Sequence, residues 1–162
     1  MKIVILERNS VGTDISVDAI GRYGEVTSYA NTTGEEAAGR IADADIVIAN
    51  KTPLNESTLK DAGNVKLICL FATGYDNVDL KYCKSRGIKV ANVVNYSTDA
   101  VAQHTFALCL YLLEKLRHYD DYVKSGQYAA QDRFSNFDIP YTELAGKTWG
   151  IIGMGNIGRK VG

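Results

Sequence analysis

Gly153, Gly155 and Gly158 follow the spacing Gly-x-Gly-x-x-Gly, directly after the apolar run Thr148-Trp149-Gly150-Ile151-Ile152. The spacing has a chemical meaning: the first glycine allows a tight turn, the second lets the main chain approach a pyrophosphate, and the third lets a helix pack against the strand before it. The N–H groups of Asn156 and Ile157 would then face phosphate at the positive end of a helix dipole. The acidic residue that would hold the ribose hydroxyls, about 20 positions further on, falls beyond Gly162. A ligand-free glycine-rich turn is the plainer alternative. The strand ahead of the loop and the Gly146-Lys147 turn before that strand favour a dinucleotide site.

A second constellation is Ala72-Thr73-Gly74-Tyr75-Asp76-Asn77-Val78-Asp79, between an apolar run and a helical stretch. Main-chain N–H groups in such a loop can gather around a carboxylate. The alternative is a turn in which Asp76 or Asn77 caps the next helix. The histidines offer less. His104 has no carboxylate at helical spacing; for His118 Glu114 is a candidate partner, and such an i,i+4 pair on a polar surface is ordinary. No catalytic residue is assigned to the chain. Cys69, Cys83 and Cys109 form neither a Cys-x-x-Cys pair nor a set spaced with histidine as metal ligands, so no metal site is assigned, and a reduced, cytoplasmic setting is expected.

These residues need a scaffold, and the chain supplies a regular one. Apolar runs near Lys2 to Leu6, Glu25 to Tyr29, Asp45 to Ala49, Lys66 to Phe71 and Ile88 to Val93 read as strands. Between them, helices are expected near Val11 to Tyr23, Glu35 to Ala42, Glu56 to Ala62 and Asp79 to Arg86, the second opened by a Thr33–Glu36 capping box. Five strands joined by four crossovers imply an α/β, flavodoxin-like, doubly wound parallel sheet. Ligands of such sheets sit at the carboxyl ends of the strands, here marked by Glu7, Asn50 to Pro53, Ala72 to Asn77 and Asn95 to Ser97. A phosphoacceptor domain on the same sheet would want an aspartate where Asn50 stands.

From Ser97, a candidate cap, one long helix is expected to run to about Lys124 and stop near Gly126, with Val101, Leu108, Leu112, Leu116, Tyr119 and Val123 at core-like spacing. Its middle, Phe106 to Leu113, is apolar all round and calls for burial on several sides, by both domains or by a second copy. The stretch from Ser125 to Thr142 reads as an irregular excursion. With 18 Lys+Arg, 19 Asp+Glu and a net charge of -1, the 162 residues give no electrostatic case for nucleic acid or an acidic membrane. No apolar run approaches the roughly 20 residues that span a bilayer.

Taken in order, Ala72 to Asp79, Gly87 to Asn92, Tyr96-Ser97-Thr98 with Ala100 to Thr105, and Gly146 to Gly153 closely resemble the NAD-dependent D-isomer-specific 2-hydroxyacid dehydrogenases. The Asn-Tyr-Ser form near Tyr96 is most similar to the D-lactate dehydrogenase and 2-ketoacid reductase branch. The resemblance implies NAD as coenzyme and a small 2-keto or 2-hydroxy acid as substrate. It implies a substrate-side domain over residues 1–96 and the start of a Rossmann coenzyme domain over 97–162, truncated after the glycine motif. Thr73, Gly74 and Tyr75 would contact the substrate carboxylate, Tyr96 would line the pocket, and Lys51 sits at a strand end facing the cleft. Gly153, Gly155, Asn156, Ile157 and Gly158 would bind the coenzyme, with Val101 and Thr105 near its nicotinamide.

The arginine, histidine and acidic partner that do the family's chemistry are not among these residues. The chain is therefore expected to be an inactive N-terminal fragment, with a disordered stub of the phosphate loop after its last strand. The long helix is expected to form a homodimer. The alternative is a noncatalytic binding or dimerising module using the helix over 98–124.

Overall fold

The computed structural model describes all 162 residues. Five strands, β1 (Lys2–Ile5), β2 (Glu25–Ser28), β3 (Ile46–Ala49), β4 (Leu67–Leu70) and β5 (Lys89–Ala91), form one parallel sheet in the order β2-β1-β3-β4-β5. Each lies within one of the expected apolar runs, trimmed by one or a few residues at the ends. The chain divides into two compact units, Met1–Val94 and Asn95–Gly162.

In the first unit, α1 (Gly34–Ile41), α2 (Glu56–Leu59) and α3 (Leu80–Ser85) set Ile41, Leu59 and Cys83 into one core with Val4, Val47, Ile68 and Leu70. The expected capping box opens α1: the Thr33 hydroxyl accepts from the Glu36 N–H while the Glu36 carboxylate accepts from the Thr33 N–H. A second box, not expected, opens α2 between Asn55 and Thr58. Asp79 caps α3 by accepting from the Tyr82 N–H at 2.9 Å, so neither Asp76 nor Asn77 serves as that cap.

The expected helix over Val11 to Tyr23 is absent. Only a 3-10 helix, Asp18–Tyr23, forms there. The Arg8 guanidinium donates to the carbonyls of Val11 and Ile15, both at 2.8 Å, consuming acceptors that an α-helix would offer its own N–H groups. Ile3, Ile5 and Ile48 line this second face of the sheet, where Val17 and Ile20 pack against them. An apolar hollow of about 340 Å³ remains, lined by Ile3, Ile20, Tyr23, Ile46 and Cys69 among others.

In the second unit the expected single helix is two: α4 (Thr98–Leu113) and α5 (Leu116–Lys124), broken where Lys115 takes a left-handed conformation, φ 53°. Ser97 precedes α4 without a side-chain cap bond. Gly126, φ 81°, ends α5 as expected and leads into α6 (Gln127–Ala130). The excursion beyond is tied back by the Tyr119 hydroxyl donating to the Ile139 carbonyl at 2.6 Å.

Core-like spacing does not produce a core here. Ala102 and Tyr122 are the only buried side chains of the unit, while Leu108 is 51% and Leu112 66% exposed. Phe106, Leu110 and Tyr111 are exposed as well, against the expected burial on several sides. The unit holds helices but no sheet for them to cover. For the same reason Thr148–Ile152 is not a strand: it has no ladder partner, and Trp149 instead stacks on Phe106 of α4 with ring centroids 5.2 Å apart. After it comes a formed helix rather than a stub, α7 (Asn156–Val161), held to α4 by a Lys160–Asp99 ion pair at 2.9 Å. No helix is long and apolar enough to cross a membrane.

Candidate functional site

The first unit gathers its polar loops at the carboxyl ends of its strands. The loop after β4 is fixed by three bonds: the Thr73 hydroxyl donates to the Val93 carbonyl at 2.8 Å, the Asn92 amide donates to the Thr73 carbonyl at 2.7 Å, and the Val93 N–H reaches the Ala72 carbonyl at 3.0 Å. With its carbonyl held by Asn92, Thr73 cannot turn that oxygen toward a ligand. The N–H groups of Thr73, Gly74 and Tyr75 donate to no acceptor in the chain. All three residues are exposed. Unspent donors on a pinned loop can receive an anion, and at Gly74 the nearest neighbour to the place of a Cβ is Asp76 Oδ1, at 3.1 Å.

Lys51 stands exposed after β3, at the same edge of the sheet, and makes no ion pair. Its main-chain N–H is already taken by the Glu7 carboxylate. Tyr96, Val101 and Thr105 fall in the second unit. Tyr96 is exposed and its hydroxyl makes no bond within the chain; Val101 is exposed on the first turn of α4. Thr105 is half-buried, and its hydroxyl donates to the Val101 carbonyl one turn back at 2.8 Å.

The three glycines of the loop differ in conformation and surroundings. Gly153 adopts φ +98°, which other residues resist. A Cβ on Gly158 would run into the Gly153 carbonyl oxygen, so α7 touches the turn that leads into it. Nothing lies within 4 Å of the place where a Gly155 Cβ would sit, which leaves that approach open. The Arg159 N–H makes the bond to the Gly155 carbonyl that closes the first turn, at 3.0 Å. The N–H groups of Asn156, Ile157 and Gly158 precede it and are the unsatisfied donors of the helix start. The Asn156 side chain is occupied, donating to Asn95 Oδ1 at 2.5 Å and accepting from Arg159 at 2.6 Å. These features fit the phosphates of a dinucleotide.

The histidines are not placed for proton transfer. His104 is exposed on α4. His118 is not on a polar surface as expected but half-buried, edge-on to Tyr119 at 5.1 Å and stacked with Tyr122 at 6.3 Å, with no bond to Glu114. No group of three or more His, Cys, Asp or Glu side chains is arranged to hold a metal ion.

Residues 3–157 match the family described as D-isomer specific 2-hydroxyacid dehydrogenase, catalytic domain. The chain belongs to this family. Among its relatives, a hydroxypyruvate reductase of Blautia hydrogenotrophica is 36% identical over 166 residues, covering 100% of this chain and 52% of that protein. An acyclic imino acid reductase, Bsp5, solved with NADPH and D-Arg, superposes with a TM-score of 0.82 at 28% identity, over 99% of this chain and 51% of its own. D-Lactate dehydrogenase from Aquifex aeolicus, solved with NAD and lactic acid, gives a TM-score of 0.78 at 28% identity, over 99% and 46% of the two chains. The chain thus spans about half the length of these family members.

Sequence reasoning placed the loop after β4 at the end of its strand and the glycine turn at the start of a helix, although the strand expected before that turn is not formed. It marked Glu7 and Asn77 as strand-end residues but not the bonds they make, nor the hold of Asn92 on the first of these loops. A polar residue just past each strand end was their only local signal.

Proposed function

We propose that this chain supplies the substrate-carboxylate loop and the coenzyme-phosphate loop of a nicotinamide-dependent oxidoreductase that interconverts a small 2-keto acid and a D-2-hydroxy acid. The observation that carries the reading is the set of unspent N–H groups at Thr73, Gly74 and Tyr75, on a loop whose carbonyl is tied down by Asn92. Lactic acid and D-Arg, bound by two of the relatives, both carry a carboxylate beside the carbon that is oxidised or reduced.

In this proposal the three N–H groups take the carboxylate and so fix where the neighbouring carbon lies. Tyr96 lines the pocket, and Lys51 adds positive charge near the strand ends. Val101 and Thr105 form the wall beside the nicotinamide. Gly155 admits the pyrophosphate, and the N–H groups of Asn156, Ile157 and Gly158 hold it. The coenzyme, when bound, supplies or accepts the hydride. We assign no proton transfer to this chain, because neither His104 nor His118 is placed for it. NAD and NADPH each occur in the relatives, and both are candidates here.

The exposed apolar residues of α4, Phe106, Leu108, Leu110, Tyr111 and Leu112, favour association, and in this proposal a second copy covers them. Sedimentation velocity reads that directly: a dimer supports it and a monomer refutes it. The activity is tested on the native polypeptide, captured from its source cells with an antibody against residues 1–94. Its intact mass is measured first, and then its oxidation of NADH and NADPH with glyoxylate, pyruvate and hydroxypyruvate. Turnover of a 2-keto acid supports the reading. A mass equal to this chain, with no turnover, overturns it in favour of a noncatalytic dimerising module.

A further inference from the structure

Thr52, only 2% exposed, is a node at the carboxyl edge of the sheet. Its N–H donates to Glu7 Oε1 at 3.0 Å, its hydroxyl to the Thr32 carbonyl at 3.3 Å, and its own carbonyl accepts from the Asn77 side-chain amide at 2.9 Å. Three loops therefore meet on one residue.

The node is set by Glu7. Its carboxylate accepts from three consecutive main-chain N–H groups: Asn50 at 2.6 Å, Lys51 at 2.9 and 3.0 Å, and Thr52 at 3.0 Å. Such an arc of N–H groups ordinarily receives an external anion, and here the chain fills it with its own side chain. The loop held in this way continues into Leu54, whose N–H reaches the Asn77 carbonyl at 2.8 Å and whose carbonyl receives the Asp79 N–H at 2.9 Å. Asn77 is thus gripped through both main chain and side chain, two residues after Tyr75.

We propose that Glu7 is a positioning residue: through Thr52 and Asn77 it sets the orientation of the Gly74 and Tyr75 N–H groups toward the substrate carboxylate. The proposal rests on the reading that this loop binds the substrate. Charge and shape are both required of Glu7. Glutamine would turn an NH2 group against at least one of the three N–H donors, and aspartate would keep the charge but stop one carbon short.

Glu7→Gln and Glu7→Asp test this in the native polypeptide, with Ile41→Val as a control that loosens the buried core without removing a hydrogen bond of the node. KM and kcat are measured with glyoxylate and hydroxypyruvate, and coenzyme affinity by NADH fluorescence. In parallel, the amide resonances of residues 50–52 and 73–77 are followed in the 162-residue chain. Glu7→Gln is expected to raise KM about tenfold, with kcat changed far less and the NADH affinity unchanged. Glu7→Asp is expected to fall between it and the parent. The amides of Gly74 and Tyr75 are expected to shift together with those of Asn50 to Thr52.

An unchanged KM overturns the proposal, as does an equal rise in Ile41→Val, or an amide response that stops at Thr52. Should Glu7→Gln fail to fold, Glu7→Asp carries the same readouts. Should the parent polypeptide reduce no 2-keto acid, the proposed function fails by itself. The amide response at Gly74 and Tyr75 then decides the role of Glu7, its presence supporting the proposal and its absence overturning it.

Discussion

Gly155→Ala and Gly158→Ala separate two reasons for having glycine in one loop. Gly155 has φ -71° and ψ -166°, which alanine adopts freely, and no atom lies within 4 Å of the new Cβ. Its replacement should leave folding untouched or raise stability by about 0.4–1 kcal/mol, through a less flexible unfolded chain. At Gly158 the new Cβ meets the Gly153 carbonyl oxygen, which is main chain and cannot swing aside, and it also comes within 3.5 Å of Ile151 Cγ2. Overpacking of that kind costs about 1–3 kcal/mol. A melt of the two variants should therefore split, with Gly158→Ala falling and Gly155→Ala not.

Coenzyme binding should fall in both variants. At Gly155 the methyl group would hold a phosphate away from the N–H groups of the helix start, and losing one charge-assisted bond costs about 1.5–3 kcal/mol, or about 10- to 150-fold in Kd. Fluorescence titration with NADH and NADPH measures this on the native polypeptide, and thermal circular dichroism gives the stability. If Gly155→Ala binds coenzyme as tightly as the parent, the open space at Gly155 is not there for phosphate, and the reasoning fails.

Three further outcomes are expected. Thr33→Ala removes one half of the α1 capping box and should lower stability by about 1 kcal/mol, read by urea titration. The Thr33 N–H and hydroxyl, helped by Arg40, hold the Glu36 carboxyl below its usual value. A depressed folded value means that the stabilisation is present above the unfolded value and fades as pH falls through the folded one, so carbon-detected titration should find Glu36 returning upward in Thr33→Ala. Burial pushes the thiols of Cys69 and Cys83 up, with Asp79 adding to the effect at Cys83. A raised folded value means stability that is full below the ordinary thiol value and lost as pH rises through the folded one; both thiols should react slowly with a disulfide reagent at neutral pH and rapidly in urea.

What the sequence disclosed depended on how far apart the partners are. The strands were legible because a buried parallel strand writes itself as a short apolar run, and the capping box because it is a contact over three residues, Thr33 to Glu36. The missing helix over Val11 to Tyr23 was not legible, because a side chain outside it, Arg8, binds the carbonyls of Val11 and Ile15. Nothing in Leu113-Glu114-Lys115-Leu116 marks the break between α4 and α5, where Lys115 goes left-handed. Thr148–Ile152 has the composition of a strand but no neighbour to pair with. In the candidate site, the glycine turn was readable from its spacing together with the apolar run before it, all within a few neighbouring residues. The Glu7 node was hidden, because its contacts cross 43 to 45 positions of sequence.

The strand order β2-β1-β3-β4-β5 also has a consequence for how the protein is made. Once the first hairpin-free pair, β1 with β2, has formed, each later strand is added to the same growing edge in the sequence in which the ribosome releases it, β3 beside β1, then β4, then β5. No strand has to be inserted between two that are already paired, and none waits for a later one. The Met1–Val94 unit can therefore assemble vectorially during synthesis, and a nascent chain stalled soon after β5 clears the exit tunnel should already resist proteolysis.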